Sequence, residues 1–305
     1  MPTRRSQGML GLIRSHKKTA ANLSRDVLMK INPVPQTVAR LRMNGTRGEV
    51  VEDLRMPAVM ITPGRLSVED GAILHLHGGA YVSGGLLQCR AIASPICGAA
   101  GVRTLTFSYR LAPRHPYPAQ LEDAMRAYRF LLDVGYLPEK IALVGESAGG
   151  NLALALALKI RASGRPMPAA IALLSPWVDL AQTGKSYAEL ADADATLDAE
   201  DLMKSAVAFA GSPARLRDPD ISPAYADFTG FPPTLIHCGT NEILLSDSEM
   251  LEHAMLKCGV KASLFRWAGM CHVFQAFGFE ESKASNRQIG LFLRNALLNA
   301  GRESS

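Results

Sequence analysis

The stretch KIALVGESAGGNLALALALKIRA, residues 140–162, decides the reading of the chain. It opens on a β-rich apolar run, Lys140–Val144, and closes on an Ala- and Leu-rich helical run, Ala148–Ala162. Gly145-Glu146-Ser147-Ala148-Gly149 joins the two. A Ser on so tight a strand-to-helix turn has its hydroxyl thrust above the sheet. It also stands at the positive end of a helix, where developing negative charge is favoured. Small residues two places before and after it let the backbone close the turn. G-x-S-x-G therefore marks Ser147 as a candidate nucleophile. The same five residues also fit a helix N-cap Ser behind a loop glycine, so the surroundings must choose.

Outward from this turn, β-rich runs alternate with helical ones. Ala72–Leu76, Arg103–Tyr109, Lys140–Val144, Ala170–Leu174, Thr234–Cys238 and Ala262–Trp267 read as strands. Most are apolar almost throughout, as expected for strands covered on both faces. Ala119–Leu132, Ala148–Ala162, Ser246–Cys258 and Ala284–Leu298 read as helices. The alternation predicts an α/β fold with a mostly parallel central sheet flanked by helices. Glu49–Thr62 adds one or two antiparallel strands at its edge. Residues 1–45 are amphipathic and helical in pattern, interrupted by Pro33 and Pro35. Residues 178–230 are rich in Asp, Ala and Pro, with a helical stretch near 198–210. An insertion of that size after a strand is more often functional than filler. The expected organisation is N-terminal cap helices over 1–45 and a catalytic domain over 46–305, with a cap insertion at about 178–230.

A nucleophilic Ser needs three further parts. Preorganised N–H groups must meet the charge that develops on a carbonyl oxygen. His77-Gly78-Gly79-Ala80-Tyr81 follows the strand at 72–76, and its small residues let backbone approach closely. Together with the N–H of Ala148, such a loop forms an oxyanion hole. A His must take the Ser proton, and a carboxylate must fix that His. Three histidines follow Ser147. His237 falls inside an apolar strand and His253 inside a helix, whereas His272 lies in the loop after the last strand. The acid is expected after the strand at 234–238. Glu242 is nearer the strand end; Asp247 also fits, but suits the first turn of the next helix.

Composition narrows the alternatives. Hydrophobic residues make up 48% of the 305 and charged residues 20%, enough for a core without metals or disulfides. The net charge of +5 gathers near the N-terminus in Arg4, Arg5, Arg14, Lys17, Lys18, Arg25 and Lys30. With no interleaved basic and aromatic residues, this excess does not describe a nucleic-acid surface. The five cysteines are scattered and lack CxxC spacing, which suits reduced thiols and no metal site. The apolar run Leu152–Leu158 is far short of the roughly 20 residues of a membrane span. No secretory h-region is visible, and a cytoplasmic protein is expected.

Six ordered blocks carry a more specific signal: HGGAY (77–81), SYRLAPRHPYPAQLEDA (108–124), GESAGGN (145–151), DPDISP (218–223), FPPTLIHCGTNEILLSD (231–247) and GMCHVF (269–274). Together they resemble the hormone-sensitive-lipase-like family of α/β-hydrolases, the bacterial family IV esterases, over roughly residues 50–300. Three departures stand out. Ala80 replaces the third glycine of HGGG, Glu146 replaces the Asp of GDSAGG, and Glu242 takes the register of the family's catalytic Asp. The resemblance implies an α/β-hydrolase with a helical cap, acting as a serine carboxylesterase on short- to medium-chain acyl esters. It implies a triad of Ser147, Glu242 and His272, an oxyanion hole around Gly78, Gly79, Ala80 and Ala148, no cofactor, and the option of a homodimer. An amidase, peptidase or deacetylase on the same fold shares this triad. A non-catalytic ligand receptor is the other alternative, against which stands the retained His272.

Overall fold

The computed structural model describes residues 2–3, 6–11 and 45–300. An eight-stranded sheet in the order β1-β2-β4-β3-β5-β6-β7-β8 forms its centre. The strands are β1 (Thr46–Val50), β2 (Ala58–Pro63), β3 (Ala72–Leu76), β4 (Arg103–Phe107), β5 (Ile141–Glu146), β6 (Ala170–Leu174), β7 (Thr234–Gly239) and β8 (Ala262–Trp267). β3 to β8 run parallel, while β2 pairs antiparallel with both β1 and β4. The longer helices are α1 (Leu86–Ala100), α2 (Ala119–Asp133), α3 (Ala148–Ala162), α4 (Ala199–Ala210), α5 (Leu245–Lys257) and α6 (Glu280–Asn299).

The apolar strands serve two cores at once because successive side chains point to opposite faces. Ile73, Ala142, Val144, Ala172 and Leu174 meet α1 and α6 through Ile92, Ile96, Ile289 and Leu293. Leu74, Leu76, Leu143, Ile171 and Leu173 face the other way, into the core shared with α2, α3 and α5. The interior strands β3, β5 and β6 are buried at every position. β8 alternates between partly buried and exposed residues at the sheet edge, with Phe265 outward.

The expected strands and helices are present, with ends shifted by a few residues. The structure adds α1, which the sequence pattern did not suggest. Its run LLQCRAIASPICGAA contains Pro95 and a Gly, which break helical patterning. Burial against β2, β4 and α6 holds it as a helix. It ends at Gly101, whose φ of 67° needs a glycine and whose N–H returns to Cys97 O at 2.8 Å.

Most of the N-terminal segment expected as cap helices, 12–44, lies outside the described residues. Residues 6–11 are helical. The Thr3 N–H donates to Glu281 Oε1 at 2.7 Å, and Leu10 packs on a cluster containing Met270, Cys271 and Phe274. The stretch between β6 and β7 carries α4, a helical turn at Ser186–Glu189, and short 3-10 turns at Pro213–Arg215 and Pro223–Tyr225. α4 starts where Asp198 accepts the Asp201 N–H, and stops at Gly211 with φ 78°. Among the described residues, no helix is long and apolar enough to cross a membrane.

Candidate active site

β5 runs into α3 through Ser147, which holds φ 55° and ψ −123°. A non-glycine residue in that region costs on the order of 1–3 kcal/mol and needs support on both sides. Its N–H donates to Leu174 O at 2.9 Å, and its carbonyl accepts from Gly150 N and Trp177 N, each at 3.0 Å. The flanking glycines are required by space. A Cβ on Gly145 would collide with Gly149 O, and one on Gly149 with Leu76 O. Ser147 is thus held at the top of the sheet, at the N-terminus of a fifteen-residue helix.

The loop after β3 lies against this turn. Glu146 binds it from below: Oε1 accepts the Gly78 N–H at 2.8 Å and Oε2 meets His75 Nε2 at 2.8 Å. His75 Nδ1 in turn lies 3.0 Å from Thr106 Oγ1. Gly78 therefore helps shape the expected oxyanion loop, but its own N–H is committed to Glu146. Among the described residues, no acceptor meets the N–H of Gly79, Ala80 or Ala148. Ala80 has φ 52° and Tyr81 64°, so the loop coils in the left-handed region, and Ala80 occupies a glycine conformation. Burial pushes His77 down to about 4, leaving it neutral near pH 7. Its Nδ1–H donates to Gly78 O at 2.7 Å, its ring stacks on Tyr109 at 3.9 Å, and the Tyr109 hydroxyl donates to His77 O.

The two acid candidates part company. Glu242 Oε2 lies 3.4 Å from His272 Nδ1, with both side chains buried. Burial raises the Glu242 carboxyl above its ordinary range, while His272 and the Ser175 hydroxyl pull it back. Asp247 Oδ2 instead accepts the N–H groups of Val178 and Asp179, at 2.8 and 2.9 Å. It orders the segment after β6. The two loops carrying Glu242 and His272 are tied together: Asn241 N donates to Met270 O at 3.0 Å, and Gly269 N to Thr240 Oγ1 at 2.7 Å. His237 sits inside β7, as its apolar run implies, with Ser285 Oγ and Trp267 Nε1 around its Nδ1. His253 is exposed on α5.

The insertion reaches the oxyanion loop through Phe209 on α4, whose ring stacks on Tyr81 at 3.7 Å and 5°. The Tyr81 hydroxyl donates to Asn151 Oδ1, and Asn151 Nδ2 donates to the carbonyls of Trp177 and Ile221. One buried amide therefore joins the Ser147 helix, the oxyanion loop and the DPDISP segment. The sequence reading singled out neither Asn151 nor Ser175. The one readable signal for Ser175 is a polar residue directly after the wholly apolar β6.

A sheet of this order, with Ser on the β5–α3 turn and His beyond the last strand, defines an α/β-hydrolase. A family model of the α/β-hydrolase fold matches residues 73–276. An acetyl-hydrolase of Streptomyces hygroscopicus is 39% identical over 253 residues, covering 82% of this chain and 83% of the relative. An esterase of Acinetobacter venetianus is 32% identical over 286 residues, covering 91% and 90%. The crystal structure of an esterase from the bacterial hormone-sensitive lipase family matches with a TM-score of 0.85 at 34% identity, over 97% of this chain and 99% of that one. The chain belongs to this family, the hormone-sensitive-lipase-like α/β-hydrolases.

Proposed function

We propose that the protein is a carboxylesterase that hydrolyses short- to medium-chain acyl esters through an acyl-enzyme on Ser147. The observation that carries this reading is the buried pairing of His272 with Glu242 beyond the last strand, in a fold that holds Ser147 on the elbow. Ser147 stands on the elbow, the unoccupied N–H groups of Gly79, Ala80 and Ala148 belong to the loops around it, and His272 faces Glu242 at 3.4 Å. The names of the relatives, acetyl-hydrolase and esterase, agree with it.

In the first step Ser147 Oγ attacks the ester carbonyl as His272 takes its proton. The carbonyl π electrons move to oxygen, where Gly79, Ala80 and Ala148 donate to the oxyanion. Collapse expels the alcohol, which leaves with the proton from His272. A water molecule then attacks the acyl-enzyme as His272 accepts its proton, and the second intermediate collapses with cleavage of the acyl C–Oγ bond, His272 returning the proton to Ser147 Oγ as the carboxylic acid leaves. Glu242 holds the imidazole through Nδ1 and stabilises its charged form. Residues 178–230, with Phe209 stacked against Tyr81, cap the site and bound the acyl pocket. Five free cysteines, four of them buried, suit a reducing compartment, and the reading includes a cytoplasmic location.

Ser147→Ala should lower kcat for p-nitrophenyl butyrate by about a millionfold, the loss typical of a removed triad nucleophile. Retained turnover overturns the assignment. Across p-nitrophenyl esters from acetate to palmitate, kcat/KM should peak at the shorter chains and collapse at palmitate. A maximum at palmitate would overturn the chain-length reading alone.

A further inference from the structure

Ser175 is the first residue beyond β6. It is fully buried and held at φ 47°, with its N–H donating to His237 O at 2.7 Å. Its hydroxyl makes two contacts. Val273 N, next in the chain to His272, lies 3.1 Å away and has only a proton to give. The hydroxyl therefore accepts there, and its single proton points to Glu242 Oε2 at 2.8 Å. That is the same carboxylate oxygen that faces His272 Nδ1.

Glu242 needs this contact. Its side chain is completely buried, and among the described residues Oε1 has no hydrogen-bond partner. The adjacent backbone N–H, that of Ile243, is taken by Asp194 Oδ2 at 2.9 Å. A buried carboxylate is costly unless donors surround it. A Glu also has one more rotatable bond than an Asp, so its carboxyl must be fixed by something beyond its backbone.

We propose that Ser175 is a positioning residue of the reaction: its hydroxyl sets the Glu242 carboxyl toward His272 and ties the same point to the backbone of the His272 loop. This rests on the assignment of Ser147, His272 and Glu242 as the triad. It accounts for how a Glu serves at this position, because the anchoring hydroxyl replaces conformational restriction that the longer side chain lacks.

The test is a double-mutant cycle on kcat for p-nitrophenyl butyrate, with folding followed by thermal melting. Ser175→Ala should lower kcat by about tenfold to a hundredfold, the scale of one hydrogen bond to a charged group, and change KM by less than about threefold. In a Glu242→Ala background the same substitution should change kcat by less than about twofold. Ser175→Gly provides a second variant, because glycine accepts φ 47° without strain. It should melt no earlier than Ser175→Ala while losing kcat as fully. The proposal is overturned if Ser175→Ala and Ser175→Gly keep kcat within about twofold, or if the loss is as large without Glu242. Ser147→Ala in the same assay separates the two readings: its failure to abolish turnover removes the triad assignment, whereas unaffected Ser175 variants beside a dead Ser147→Ala remove only the role of Ser175.

Discussion

Glu242 and Asp247, five positions apart in the chain, illustrate how environment divides chemically similar residues. Glu242 faces an imidazole; Asp247 faces two backbone amides. Glu242→Ala should therefore lower kcat by about a thousandfold or more, as acid removal does in other triads. Asp247→Ala leaves two buried N–H groups unpaired, each costing about 1–3 kcal/mol. It should lower the melting temperature by several degrees and kcat by far less. The reverse ranking in kcat would transfer the acid role to Asp247. Ala80 offers a gain. At φ 52° it carries a strain that glycine lacks, so Ala80→Gly should raise stability by up to about 1 kcal/mol in urea unfolding, with its N–H still in place.

Among the elements, the loop after β3 depends on a residue from another strand. Glu146 ends β5, yet its carboxylate binds the Gly78 N–H and His75 on β3. The nucleophile turn and the oxyanion loop therefore share one anchor. Glu146→Ala frees the loop and leaves His75 without its carboxylate, and kcat should fall by about tenfold to a hundredfold, short of the loss for a deleted oxyanion donor. Glu146→Gln keeps an acceptor for Gly78 and should retain most of the activity; equal losses in steady-state kinetics would show that charge, not the Gly78 contact, is what matters. The helix α4 touches the same loop through the stacked Phe209 and Tyr81. Helix α1, by contrast, owes its existence to burial. Its Pro95 and Gly98 hide it from any periodicity count, and no local signal replaces the packing that holds it.

Acid stability belongs to the whole molecule. Burial lowers His77 to about 4 and His237 to about 3, from 6.5 in an open chain. Below pH 6.5 the unfolded chain binds protons that these folded histidines refuse, so their contribution to stability falls with pH until about 4 for His77 and about 3 for His237. Buried Glu242 and Asp247 act in the opposite sense. Their carboxyls are raised, so the folded state takes up protons more readily and gains relative stability as pH falls. A single variant isolates the histidine part. His237→Asn removes one such titration and should flatten the decline of melting temperature between pH 6.5 and pH 4; an unchanged slope would remove His237 from the account.

The sequence by itself determined the strand-helix alternation, the turn at Ser147, the order of the candidate Ser, acid and His, and the family resemblance. Each is local or ordinal: periodicity of 2 or 3.6, a turn that only small residues can close, and motifs in a fixed order. Six of the eight strands were legible in this way, most of them because buried parallel strands are largely apolar runs, and β1 and β2 were legible as one antiparallel segment. The tertiary structure decided what depends on partners distant in the chain. It separated Glu242 from Asp247, committed the Gly78 N–H to Glu146, and set the Ser175 hydroxyl between Glu242 and Val273. The physical reason is that a hydrogen bond requires two groups within about 3 Å and correctly directed. Ser175 and Glu242 are 67 residues apart in the chain, and only the pairing of β6 with β7 brings them together.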